Sequence, residues 1–142
     1  MSDTTGVVVL IGRILFAYFF VVAGIDHFKK DQLMKGYAVQ AGFPIPVIAG
    51  WVVGLWLIAG AASVGAGIWP DLGSLMIGAF VIPATLFFHR FWSFEDDTQR
   101  TSGRQAFDRN LLIFGASLVF FGTFVALGPE LRFTITGLLF NF

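Results

Sequence analysis

The chain has 142 residues, of which 56% are hydrophobic and 13% charged, and its nine basic and nine acidic residues cancel to a formal charge of zero. Soluble domains carry about 25% charged residues, so this composition implies a membrane protein, and the lack of a basic tract removes nucleic acid as a partner. There is no cysteine, which excludes disulfides, thiol chemistry, iron–sulfur clusters and cysteine-based zinc sites within the chain.

A membrane-crossing helix needs about 20 mostly apolar residues, and the sequence offers such runs at 7–25, 47–69, 72–91 and 110–127. In a bilayer the backbone must satisfy itself, so only helices and closed barrels cross. The runs lack the period-2 alternation of barrel strands. The expected fold is all-α: a single transmembrane domain over residues 1–142, an integral membrane four-helix bundle with short loops and an interfacial C-terminal tail.

The first run follows a short polar lead. Its start carries Asp3 and no Lys or Arg, so it is expected to be a retained span rather than a signal peptide. Arg13 lies inside it, and a charge cluster, Asp26-His27-Phe28-Lys29-Lys30-Asp31, closes it. Residues 32–41 suit a short interfacial helix with Leu33, Met34 and Tyr37 on one side. Pro44 and Pro46 then hold the chain extended as it re-enters the apolar phase.

The second run is rich in small residues. Gly50/Gly54 and Ala61/Gly65 are small-xxx-small pairs that let backbones approach closely, marking this as the packing helix. Trp69-Pro70-Asp71 is a turn, and the third run contains Pro83, which predicts a kink before His89. Residues 93–108 form the one clearly aqueous segment. Its Glu95-Asp96-Asp97 cluster lacks the spacing of a calcium loop and is followed by arginines, so a solvated, salt-bridged face is expected and no metal site. Gly128-Pro129 ends the fourth run, and the tail beyond it is too short to cross again.

Lys29, Lys30, Lys35, Arg90, Arg100, Arg104 and Arg109 fall at one set of span ends, whereas only Arg132 lies outside the membrane at the other. The positive-inside rule puts the first and third loops in the cytoplasm and both termini in the periplasm of a bacterial inner membrane. No internal repeat supports a pseudo-symmetric transporter.

Arg13 is the costliest residue to place in a bilayer, at about 2.5–3.5 kcal/mol for a central position. Snorkelling or pairing with Asp71 or Glu130 on the same side is the favoured expectation, and holding an anionic or quinone-like ligand the alternative. His27 and His89 end the first and third runs and therefore share one side. Imidazoles so placed suit interfacial packing first, then a proton or quinone role, and least of all haem ligation. Asp108, Arg109 and Asn110 re-enter the membrane there and are expected to pair with Asp26, His89 or Arg90, giving a polar rim. No nucleophile–base pair, P-loop or dinucleotide fingerprint is present, so no catalytic residue is assigned.

Five stretches, taken together, resemble the DoxX family of small four-span bacterial membrane proteins. They are Gly12-Arg13, Ala23-Gly24-Ile25-Asp26-His27-Phe28, Gly42-Phe43-Pro44, Ala84-Thr85-Leu86-Phe87-Phe88-His89-Arg90-Phe91-Trp92 and Phe107-Asp108-Arg109-Asn110-Leu111. The resemblance implies a membrane component tied to redox or sulfur metabolism. Relatives include a subunit of a thiosulfate:quinone oxidoreductase, and others are thought to anchor soluble detoxifying enzymes. Two departures stand out: His27 occupies a position where lysine is common, and Leu55-Trp56 stands where an acidic residue and leucine are common. The second departure implies that one natural carboxylate partner of Arg13 is lost and that proton-coupled quinone chemistry is weakened.

The favoured expectation is an accessory or anchoring subunit of a larger redox-linked membrane complex, not catalytic on its own, with lipid and a protein partner as contacts and a homo-oligomer as a further arrangement. A quinone-binding redox subunit is the first alternative and a small-solute transporter the second.

Overall fold

The computed structural model describes residues 1–140, so the last two residues of the expected tail lie outside the described part. Five α-helices follow one another: α1 (Asp3–Lys29), α2 (Asp31–Gln40), α3 (Trp51–Ala66), α4 (Pro70–Pro83) and α5 (Asp97–Leu127). No strand occurs among the described residues. The segments Asp3–Lys29, Pro70–Ser93 and Asp97–Glu130 are long and apolar enough to cross a membrane; α3 is a shorter apolar helix. At 1.5 Å per residue α3 measures roughly 24 Å, against a hydrocarbon core of about 30 Å.

The four longer helices pack as an antiparallel series, α1 on α3, α3 on α4 and α4 on α5. Glycines set the first crossing. A Cβ on Gly24 would stand 2.8 Å from the Gly54 carbonyl oxygen, and one on Gly54 2.8 Å from that of Gly24, so the two backbones touch. Further along the same pair, Gly65 admits the Ala17 side chain. Gly73 performs the same service for α4, where a Cβ would lie 2.8 Å from the Gly60 carbonyl. Ala17, Phe20, Leu57, Ala61, Ile77 and Val81 fill the core between these helices. Phe16 meets Phe120 at 4.9 Å between ring centroids, which brings α5 against α1.

Local chemistry explains where the expected spans are cut. The run at 47–69 divides into a 3-10 turn, Pro46–Ala49, and α3, because Gly50 adopts a non-helical backbone (φ −89°, ψ −118°) against the Asp31 carboxylate. Of the expected packing set, Gly54, Ala61 and Gly65 are buried within α3, whereas Gly50 serves this junction instead. Gly67, at φ +70°, terminates α3 in the left-handed region that favours glycine.

Pro83 offers no N–H and its ring crowds the preceding turn, so α4 does not run straight on to His89. It opens into a π-helical turn, Ala84–Phe88, in which Thr85 Oγ1 donates to the Val81 carbonyl at 2.7 Å.

The expectation of a loop over 93–108 is corrected most clearly. Helix α5 begins at Asp97, capped by the Asp96 carboxylate, which accepts from the Gln99 amide at 2.8 Å. Its 31 residues extend about 46 Å, well beyond the hydrocarbon core. Arg100–Asp97 and Arg104–Asp108 line this exposed extension.

Candidate functional site

Two polar assemblies stand at opposite ends of the bundle. At the end holding the N-terminus of α1, the Arg13 side chain is 0% exposed and binds only backbone carbonyls. Its Nε donates to Val64 at 2.8 Å, Nη2 to Gly65 at 3.1 Å, and Nη1 to Arg132 and Phe133 at 3.3 and 3.0 Å. Val64 and Gly65 belong to the last turn of α3, whose carbonyls have no partner within the helix and carry the negative end of its dipole. Arg13 therefore caps α3 from the neighbouring helix while clasping the C-terminal tail.

This corrects the expected pairing with Asp71 or Glu130. Asp71, itself fully buried, accepts from the backbone amides of Leu139 at 2.9 Å and Phe140 at 2.7 Å. Glu130 accepts from the amino group of Met1 at 3.0 Å. The Gly67 carbonyl takes the amides of Ile135 and Thr136, both at 3.0 Å, and the Trp69 amide donates to Thr136 Oγ1 at 2.8 Å. The tail is thus sewn to α1, α3 and α4 through its backbone, with the Ile135 side chain left exposed. Leu55 is exposed and about 14 Å along α3 from Val64, so a carboxylate at that position is not what this arginine lacks.

At the opposite, basic end the structure brings His27 and His89 onto one cavity of about 440 Å³. Its walls come from α1 (His27), α2 (Met34, Tyr37), the connection and turn before α3 (Phe43, Ile48, Ala49), α3 (Val53, Trp56), α4 (Ala79, Phe80, Pro83) and the π-helical segment with its end (Ala84, Phe88, His89). The π turn is what carries His89 to this wall. Trp56 and Ala79 are exposed on the outer surface of the bundle, so the cavity opens at that surface.

His27 Nδ1 lies 2.6 Å from the Ala49 carbonyl oxygen. A carbonyl can only accept, so Nδ1 carries the proton. The ring also stands edge-on to Phe80, with centroids 6.2 Å apart. Phe43 packs edge-on against Phe87 at 5.3 Å, and Arg90 Nη2 donates to the Ala41 carbonyl at 3.1 Å, which ties the end of α2 over the cavity. Asp31 fixes the other end of α2: it accepts from Lys35 Nζ at 2.7 Å and from the Trp51 amide at 3.0 Å. These two donors hold its carboxyl below the usual aspartate value, the Lys35 hydrogen bond contributing most.

The rest of the expected polar rim does not join into a network. Asp26 pairs with Lys30 at 3.2 Å and Asp108 with Arg104 at 3.9 Å. Asn110 is buried in α5 and Arg109 exposed, and neither lines the cavity. No hydrogen bond or ion pair links Asp108, Arg109 or Asn110 to Asp26, His89 or Arg90 among the described residues. Groups of three or more His, Cys, Asp or Glu suited to a metal are likewise absent among the described residues. Sequence reasoning missed the aromatic wall of Phe43, Trp56, Phe80 and Phe88. Nothing in the spacing of these residues separates them from ordinary lipid-facing aromatics.

The comparisons bear on the same region. No curated protein and no solved structure matches the chain. The family model for DoxX matches residues 8–90, which include Arg13, His27, His89 and every residue lining the large cavity. That stretch is more than half of the sequence, and the chain belongs to the DoxX family.

Proposed function

We propose that this protein is a small, non-catalytic membrane subunit that takes an amphiphilic ligand of the quinone type from the lipid phase into the His27/His89 cavity and serves a larger redox-linked membrane assembly. One observation carries the reading: imidazoles from two separate segments, α1 and the end of the π-helical turn, flank a single aromatic-lined cavity that opens on the outer surface of the bundle. Its volume lies within the ordinary range for small-ligand sites, about 300–1,000 Å³, and apolar walls with a few convergent polar groups are what such sites have.

In this reading α3 and the turn before it complete a fourth crossing. The support is that α3 runs beside α1 from the Gly24/Gly54 contact to the Arg13 clasp. In the same reading the basic end faces the cytoplasm of a bacterial inner membrane and both termini face the periplasm, which the distribution of Lys and Arg supports. A transporter gains no support, since the cavity occupies one end and Phe20, Leu57 and Ile77 fill the middle of the bundle.

Reconstitution in nanodiscs of a form that keeps Trp56 alone, with Trp51, Trp69 and Trp92 replaced by phenylalanine, and titration of a benzoquinone against its fluorescence tests the binding. Saturable quenching that weakens at least about fivefold in His89→Phe supports the reading. Linear, non-saturable quenching in both proteins refutes it.

A second reading, an accessory anchor that docks a soluble enzyme, rests on the charged extension of α5. Replacing Asp97, Arg100 and Arg104 with alanine should release a partner that gentle detergent extraction otherwise retains in stoichiometric amount. Retention by the triple variant, or isolation of a partner-free protein under several gentle detergents, contradicts it.

A further inference from the structure

We infer that the cavity selects the hydroxyl-bearing, reduced form of its aromatic ligand, a hydroquinone or phenol, over the corresponding quinone, and that His27 is the residue that sets this preference. The inference rests on the ligand-binding reading above and goes beyond it by fixing the polarity of the hydrogen bond that the ligand must make.

The argument begins at the end of α1. His27 is 2.6 Å from a carbonyl oxygen through Nδ1, and the Ala49 carbonyl is held in place by the 3-10 turn Pro46–Ala49. The proton of the neutral imidazole is therefore committed to Nδ1. In that tautomer Nε2 has a lone pair and no hydrogen, so it accepts and cannot donate.

No buried side-chain nitrogen or oxygen lacks a hydrogen-bond partner among the described residues, and Nε2 makes no protein hydrogen bond there, so this nitrogen is an accessible acceptor on a ring that lines the cavity. A ligand meeting it must bring an O–H or N–H. A quinone carbonyl presents lone pair to lone pair and leaves Nε2 unmatched, which costs more than the hydrogen bond would contribute. The class of ligand follows from the walls: Tyr37, Phe43, Trp56, Phe80 and Phe88 offer ring faces and edges to a flat aromatic head.

Lysine, a donor without an acceptor, gives the inference its sharpest test. His27→Lys would replace the acceptor with a donor and should reverse the selection toward the quinone carbonyl. A preference for the reduced form also raises the potential of the bound couple relative to the free one, by about 20 mV for a fivefold preference in a two-electron couple.

The experiment is anaerobic calorimetric titration of the full chain in nanodiscs with three probes: a short-chain benzoquinone, its hydroquinone, and the dimethyl ether of that hydroquinone. We expect the hydroquinone to bind about fivefold more tightly than either of the others, the increment of one hydrogen bond. His27→Phe should equalise the three, and His27→Lys should favour the quinone.

Equal binding of quinone and hydroquinone by the unaltered protein, or equal binding of hydroquinone and its ether, overturns the selection while leaving the binding site standing. Absence of binding by all three overturns both. Because the ether comparison uses the unaltered chain, the test stands even where His27→Lys fails to fold.

Discussion

Arg13 and Phe133 are 120 residues apart in sequence, and the guanidinium Nη1 of the first donates to the carbonyl of the second at 3.0 Å. With the parallel bonds to Val64, Gly65 and Arg132, this makes a buried cation compensated by carbonyl dipoles and by the end of a helix. The charge in α1 is therefore explained by the tail and the end of α3.

Arg13→Met removes all four hydrogen bonds and leaves buried carbonyls without a donor, a loss of about 3 kcal/mol or more. Arg13→Lys should do nearly as badly, since one ammonium cannot reproduce a fork that spans two chain segments. Thermal unfolding in detergent should show both variants well below the parent, and limited proteolysis should cut between residues 131 and 140 before the helices open. Full protection of the tail in Arg13→Met would contradict the clasp.

The tail has a second anchor, which predicts a graded response. Asp71→Asn retains the size of the side chain but weakens the two bonds to the amides of Leu139 and Phe140, at a cost of about 1–2 kcal/mol. The cut sites should lie nearer the end of the chain than in Arg13→Met. Identical cleavage patterns in the two variants would show that the tail releases as one piece.

Much of the architecture was legible because membrane insertion imposes long apolar runs, and the ends of α1 and α5 fell near the expected charges and near Gly128. What was not legible depended on partners distant in sequence. Gly54 stood out by its spacing from Gly50, yet its real counterpart is Gly24 on α1, which no spacing within one helix reveals. The polar segment at 93–108 reads as a loop in the sequence because it lacks apolar periodicity; the Asp96-x-x-Gln99 pattern was the available capping signal for the helix that forms there. His27 and His89 were placed at one end from topology alone. Their common cavity required the π turn after Pro83, whose π form is not encoded in the presence of proline.

Glycines at the crossing separate from glycines that merely punctuate α1. Gly24→Ala places a methyl group 2.8 Å from the Gly54 carbonyl oxygen and should destabilise the bundle by about 1–3 kcal/mol. Gly12→Ala, only twelve residues earlier and with nothing within 4 Å of the new Cβ, should be neutral or stabilising by about 0.5 kcal/mol. Melting curves of the pair check this directly, and equal effects would contradict the close crossing.

Asp31 predicts an acid-sensitive junction between α2 and α3. Its folded-state carboxyl is held below the usual value by Lys35 and the Trp51 amide. The stabilising contribution is therefore present above the unfolded aspartate value and is lost as pH falls through the depressed folded one. The protection of the Trp51 amide, its intrinsic exchange rate over the observed rate at each pH, should fall on acidification, and Asp31→Asn should show low protection already at neutral pH. Protection that is insensitive to acid in the parent would remove Asp31 as the tie.

The central claim is that the cavity between His27 and His89 is a ligand site, and photolabelling with a photoreactive quinone in native membranes tests it most directly. The account predicts cross-links confined to peptides containing residues 27–56 and 79–89, suppressed by excess unlabelled quinone. Labels scattered over the lipid-facing surfaces of α1 and α5, with no suppression by the competitor, would contradict it.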